Sequence, residues 1–84
     1  MVPIRPRKGV RFSLGQLQDL VGGYIEIVYL DASTALVCDE DGKLKGYPVN
    51  GLATSIYRDS ARFFNTPDFI VGDIVICNIN QIPE

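Results

Sequence analysis

A helix and a strand written back to back constrain this chain more than any other feature. Ser13 precedes Leu14, Leu17, Leu20 and Val21 at three-to-four spacing, and Gln16 stands where a capping box takes Glu or Gln. Gly22-Gly23 then supplies a left-handed stop, so a short amphipathic helix ends there. Tyr24 to Leu30 follows at once, rich in β-branched and aromatic residues, with Ile25, Ile27 and Tyr29 on one face of a strand. Tyr24, Val28 and Leu30 make its other face apolar as well, around Glu26.

The rest of the chain supplies partners for that strand. Asp31 to Thr34 reads as a turn into Ala35 to Cys38, the second arm of a hairpin. Asp41-Gly42 predicts a tight turn, with Lys43 to Lys45 as a return strand. Asn50 caps a second helix over about Gly51 to Arg58, with Leu52, Ile56 and Tyr57 inward. Arg58 to Pro67 forms a polar connection carrying Phe63 and Phe64, and Pro67-Asp68 forms the last turn. Phe69 to Ile79 reads as one or two final strands, with Gly72-Asp73 as a bulge or turn. Strands in runs with two short helices, not alternating as βαβ units, imply an α+β fold. Its sheet is expected to be small, mainly antiparallel and strongly bent, in the manner of a barrel.

At 84 residues the chain has room for one core, and residues 1–84 are read as a single domain. Apolar residues on both faces of Tyr24 to Leu30 and of Ile74 to Ile79 exceed what so small a domain hides easily, which predicts a homo-oligomer, dimer or higher. Phe69 to Ile79 is the longest apolar run, interrupted at Gly72, Asp73 and Asn78, and falls far short of the roughly 20 residues of a membrane span. The first residues lack the pattern of a secretory signal, so a cytoplasmic setting is expected. Cys38 and Cys77 sit in strand-like apolar runs as buried thiols, with a bridge open only if their strands are neighbours.

Charge is unevenly placed. Arg5, Arg7, Lys8 and Arg11 make residues 1–11 a basic arm or edge strand, whereas the remainder carries four positive and ten negative charges. Tyr24, Tyr47 and Tyr57 with Arg5, Arg7 and Arg11 would be the residues of a nucleic-acid platform. Their spacing matches no common RNA-binding module and the body is acidic, so nucleic acid is not an expected partner.

Little catalytic chemistry can be assembled. The sequence has no histidine, which removes the commonest general base and the commonest zinc ligand. No nucleophile elbow, phosphate-binding loop or paired Cys-x-x-Cys is present, so neither an enzyme nor a cofactor is expected. Asp39, Glu40 and Asp41 are the acidic cluster, but Gly42 follows too closely for a calcium loop, and the reading is a solvated hairpin tip rather than a metal site. The candidate ligand-binding stretch is Gly46 to Gly51 running into the second helix, where free backbone N–H groups meet a positive dipole end. Tyr47, Asn50, Gly51, Thr54 and Arg58 are its candidate residues for a nucleotide-like or other anionic ligand, against the plainer reading of an ordinary helix cap.

Taken in order, Leu17 to Glu26, Leu36 to Leu44, Pro48-x-Asn50 and Ile70 to Ile76 resemble the family catalogued as domain of unknown function 3846, over roughly residues 12 to 79. The resemblance implies a phage, plasmid or bacterial setting and assigns no residue a catalytic or binding role. The expectation is therefore a non-enzymatic accessory protein of a phage or mobile element acting through protein contacts. The alternative is a binder of an anionic, nucleotide-like molecule connected with host defence signalling.

Overall fold

The structure, a computed structural model, describes residues 11–60 and 69–83. The elements run α1 (Leu14–Val21), β1 (Ile25–Tyr29), β2 (Thr34–Asp39), α2 (Gly51–Arg58) and β3 (Val75–Asn78), and a short 3-10 turn follows at Ile79–Gln81. The basic segment before Arg11, and the expectations for Phe63, Phe64 and Pro67-Asp68, lie outside the described residues.

Local chemistry sets the element ends. The Gln16 amide donates to Ser13 Oγ at 3.1 Å and the Ser13 amide donates to Gln16 Oε1 at 2.8 Å, closing a capping box that contributes about 1 kcal/mol. Gly22, at φ 96°, donates its amide to the Gln18 carbonyl and stops α1. Between β1 and β2, Asp31 Oδ1 accepts from the Ser33 and Thr34 amides, both at 2.8 Å. Those two amides hold the Asp31 carboxyl below the usual carboxylate range.

The sheet is antiparallel, ordered β1-β2-β3, with Val28 opposite Leu36 and Leu36 opposite Ile76. Because β2 is central, its alternate residues feed two cores. Ala35 and Val37 join Val75, Cys77 and Ile82 beneath Leu17 and Val21 of α1. Leu36 and Cys38 join Leu30, Ile70, Ile74 and Ile76 beneath Ala53 of α2. One helix per face thus covers β2 and most of β3, whereas β1 stays half-buried to exposed.

Two expectations are corrected. The fold is α+β with two helices, but the sheet is an open three-stranded one, not strongly bent and not barrel-like: β1 and β3 are its edges among the described residues. Two helices, one against each face, already bury the central strand β2 and most of β3 without closure of the sheet. Lys43 to Lys45 is not a return strand. The chain from Glu40 to Gly46 coils into successive turns, with the Lys45 amide donating to the Asp41 carbonyl at 2.9 Å and the Tyr47 amide to the Gly42 carbonyl at 3.1 Å. The final apolar run divides at Gly72: Val71 bridges Val49, and β3 begins only at Val75.

The two cysteines stand in neighbouring strands but in different cores, Cys77 on the α1 face and Cys38 on the α2 face. A bridge between them would have to pass through the sheet. Both are free, buried thiols.

Candidate functional site

Asn50 ends the stretch entering α2 and is 2% exposed. Its Oδ1 accepts from the Ala53 amide at 3.0 Å, its Nδ2 donates to the Gly72 carbonyl at 2.9 Å, and its amide donates to the Ile70 carbonyl at 2.8 Å. Thr54 continues the same seam, accepting from the Ile70 amide at 3.0 Å and donating to the Ile70 carbonyl at 3.3 Å. These two side chains fasten α2 to the segment leading into β3. Gly51 lies exposed beside them, and Arg58 is exposed at the opposite end of α2, about 10 Å along the helix axis. Tyr47 packs instead against Gly22, Gly42 and Gly72. Of the five candidate residues, only Asn50, Gly51 and Thr54 share a place, and two of those three have their polar atoms committed to the fold.

Tyr47 belongs to a polar knot that sequence reasoning did not find. Asp39, the last residue of β2, is buried, and its Oδ2 receives Lys45 Nζ at 2.7 Å while its Oδ1 receives the Asp41 amide at 2.8 Å. The Tyr47 hydroxyl donates to the same carboxylate. Lys45 Nζ also donates to the Gly22 carbonyl at 3.0 Å, joining the end of α1 to the end of β2. Burial pushes the Asp39 carboxyl up, but the Lys45, Asp41 and Tyr47 donors outweigh it and hold the group below its ordinary range. The hydrogen bond to Asp39 raises Lys45 in turn. The acidic cluster is therefore no solvated tip, because its first member is buried and paired with Lys45.

Glycines make room for this knot. A methyl at Gly72, which has φ 76°, would lie 2.7 Å from Tyr47 Cδ2. One at Gly42 would meet Val71 Cγ2 at 2.9 Å, and one at Gly23 would meet Asp39 Oδ2 at the same distance. Gly42 is thus required for close approach rather than for a hairpin conformation, as its φ is not positive. No local signal announces this: each glycine reads as a turn, and the side chains it admits come from elsewhere in the sequence.

Two clefts flank Gly22. One, of about 320 Å³, is lined by Asp19, Leu20, Gly22, Tyr47, Gly72 and Asp73 among others. The second, of about 520 Å³, shares Asp19 and Gly22 and adds Tyr24, Asp41 and Lys45. A smaller hollow of about 150 Å³ lies on the α2 side between Glu26, Cys38, Lys43, Tyr57 and Phe69. Within it Lys43 Nζ stands 4.7 Å from the Phe69 ring centre, and burial, with Glu26 nearby, pushes the Cys38 thiol up to about 12. Such a thiol is no nucleophile at neutral pH. Among the described residues no three His, Cys, Asp or Glu side chains stand together in a way that could hold a metal ion, and no helix is long and apolar enough to cross a membrane.

The ordering of α1, the knot at Asp39, the Asn50 cap and the Gly72 bend follows the blocks that carried the family resemblance, and the sequence model of that family matches residues 1–82. The chain belongs to the family of domain of unknown function DUF3846. The match spans nearly the whole chain, so the two helices and the sheet described above all fall inside the family domain. No match was found among curated proteins or among solved structures.

Proposed function

We propose that this DUF3846 protein is a non-enzymatic accessory protein of a phage or other mobile element, acting in the bacterial cytoplasm through protein contacts, including contacts with further copies of itself. One observation carries the reading: the strongest polar constellation is consumed inside the fold, while large apolar side chains project from ordered structure. Leu44 is 89% exposed and Tyr24 70% exposed, and the turn bearing Leu44 is held by Asp39, Lys45 and Tyr47. A side chain presented from a fixed turn loses little conformational freedom on binding, which favours its use as an anchor. Tagged wild-type protein is expected to retain a defined partner, or itself, in quantitative co-purification from a bacterial host, and Leu44→Asp together with Tyr24→Ser to lose it at unchanged thermal stability. Retention by the double variant, or a monomer with no partner at high micromolar concentration, would count against the reading.

The anionic-ligand alternative draws less support, since Asn50 and Thr54 bond to Ile70 and Gly72 and Arg58 stands at the far end of α2. Its test is a nucleotide thermal-shift panel. Ligand at a hundred times its dissociation constant should add about 2.7 kcal/mol, and no stabilisation by any nucleotide argues against it.

A further inference from the structure

β1 leaves one side of its backbone open. The Leu30 amide donates to the Thr34 carbonyl and the Glu40 amide to the Tyr24 carbonyl, both at 2.9 Å, so Tyr24, Glu26, Val28 and Leu30 turn their main-chain groups toward β2. Ile25, Ile27 and Tyr29 therefore direct their N–H and C=O groups the other way, where no strand pairs with them among the described residues. Such an edge is a template for a further strand unless something blocks it, and β1 carries none of the usual blocks. It has no proline and no lysine, and its pairing with β2 runs one-to-one from Ile25 to Tyr29 without a bulge. β3, the other edge, is shorter and buried at Val75, Ile76 and Cys77, whereas β1 is half-buried to exposed, with Tyr29 47% exposed.

The residues of β1 fit a second β1. Glu26 is the single charged residue of the strand. Laid antiparallel on a two-fold copy with Ile27 at the axis, all three outward residues find partners: Ile27 meets Ile27, and Ile25 meets Tyr29. Glu26 then faces Val28. With Glu26 at the axis instead, the two carboxylates would stand directly opposite each other, which is destabilising. With Val28 at the axis, Ile25 would fall opposite Asp31, beyond the strand end. Ile25 and Ile27 pack on the α1 face, and directly opposed residues share a face, so the pairing centred on Ile27 joins Ile25, Ile27 and Tyr29 of both copies into one apolar strip.

We propose that the open edge of β1 pairs antiparallel with β1 of a second copy of this chain, with Ile27 at the two-fold axis, giving a symmetric dimer with one continuous sheet. Two main-chain hydrogen bonds in each opposed pair of outward residues give about six in all. The inference deepens the protein-contact reading, on which it rests, by naming the surface and register of the contact between copies.

The test joins sedimentation equilibrium of the full chain with amide hydrogen exchange and isotope-mixed NMR. The wild-type mass is expected to rise with concentration toward twice the 9.3 kDa of one chain. Exchange at the Ile25, Ile27 and Tyr29 amides should be slow in the dimer and speed up on dilution, whereas the Val28 amide, bonded to β2, should stay protected throughout. Glu26 and Val28 Hα lie about 7 Å apart within one strand but close together across the proposed pair, so a mixed labelled and unlabelled sample should show an Hα–Hα contact between Glu26 of one copy and Val28 of the other. Ile27→Pro removes an N–H that β2 does not use, so the fold should persist while the dimer weakens at least about thirtyfold. If that variant does not fold, exchange and NMR on the wild type decide the matter without any substitution. A monomer at high micromolar concentration, a dimer that folded Ile27→Pro retains, or contacts between copies at residues other than those of β1 would each overturn the proposal. Slow exchange at Ile25, Ile27 and Tyr29 that is independent of concentration would assign the edge to the chain's own first ten residues and also overturn it. If the wild type is monomeric while the Leu44 and Tyr24 substitutions still abolish co-purification of a host partner, the protein-contact reading stands and this inference alone falls.

Discussion

Lys45 Nζ lies 2.7 Å from Asp39 Oδ2, yet the two side chains occupy different media: that of Asp39 is 1% exposed and that of Lys45 39%. The carboxylate is the fixed centre of the knot, held also by the Asp41 amide and the Tyr47 hydroxyl, and the lysine closes over it from the solvent side. Removing the lysine leaves a buried charge with two neutral donors, whereas removing the carboxylate releases the lysine to water. The pair consequently responds asymmetrically to substitution and to acid.

Acid should weaken the fold through Asp39. Its folded-state pKa lies below the ordinary value of 3.8, so the unfolded chain takes up the proton first. The stabilisation is complete above that ordinary value and is lost as pH falls through the folded one. Asp31, lowered by the Ser33 and Thr34 amides, acts in the same direction. Thermal melts from about pH 7 to about pH 2 should show a shallower acid decline for Asp39→Asn than for wild type. Lys45→Met, by taking away the ammonium, should move the decline to higher pH. A wild-type profile indistinguishable from that of Asp39→Asn below about pH 4 would refute the assignment.

Gly72 and Gly15 should respond to alanine with opposite signs. At Gly72 the backbone is left-handed, φ 76°, and the added methyl would sit 2.7 Å from Tyr47 Cδ2, within a ring already packed against the knot. Strain and overpacking together should cost about 3 kcal/mol. At Gly15, inside α1, nothing lies within 4 Å of the added methyl, and helix propensity should return about 0.5 to 1 kcal/mol. Urea unfolding of the two variants measures both, and a Gly72→Ala protein as stable as wild type would show that Tyr47 does not pack as described.

What the sequence disclosed and what it withheld divide along chain separation. Ser13 with Gln16, Asp31 with Ser33 and Thr34, and Asn50 with Ala53 are interactions within a few residues, and all three were readable from residue type and spacing. The alternating faces of β1 were readable too, since Ile25 and Ile27 pack in one core and Val28 and Leu30 in the other. Gly42 was misread because an Asp-Gly pair favours a hairpin turn on local grounds, whereas its actual constraint comes from Tyr47 and from Val71, far along the chain. The candidate site suffered from the same blindness. A polar cap residue at a helix start looks alike whether its amide serves a ligand or, as here, a carbonyl 22 residues onward. The cleft beside Gly22 escaped as well, because its lining residues Asp19, Tyr47 and Gly72 come from separate stretches of the chain.

Asn50 and Thr54 should behave as one fastening. Asn50→Ala removes the cap and leaves the buried Gly72 carbonyl without its donor, costing about 2 to 3 kcal/mol. Thr54→Val keeps the shape but strands the Ile70 amide, costing about 1 to 2 kcal/mol. Both hold the same segment, so the double variant should lose less than the sum of the two by at least about 0.5 kcal/mol. Strict additivity in urea melts would mean that Ile70 and Gly72 are held independently.

The thiols should be protected in the folded protein and unable to pair with each other. Cys38 and Cys77 are 6% and 5% exposed, and they point into cores on opposite faces of the sheet. Burial pushes both upward, Cys38 to about 12, so neither supplies thiolate at neutral pH. Iodoacetamide at about pH 8 should modify neither residue in the native protein and both in urea. Mild oxidant should give no mass loss corresponding to an internal disulfide. The same raised values set an alkaline limit: the unfolded chain ionises first, from about pH 9, so stability should hold to that point and decline as pH rises toward about 12. Cys38→Ala should flatten that alkaline decline, and an internal disulfide formed without unfolding would contradict the placement of the two thiols on opposite sides of the sheet.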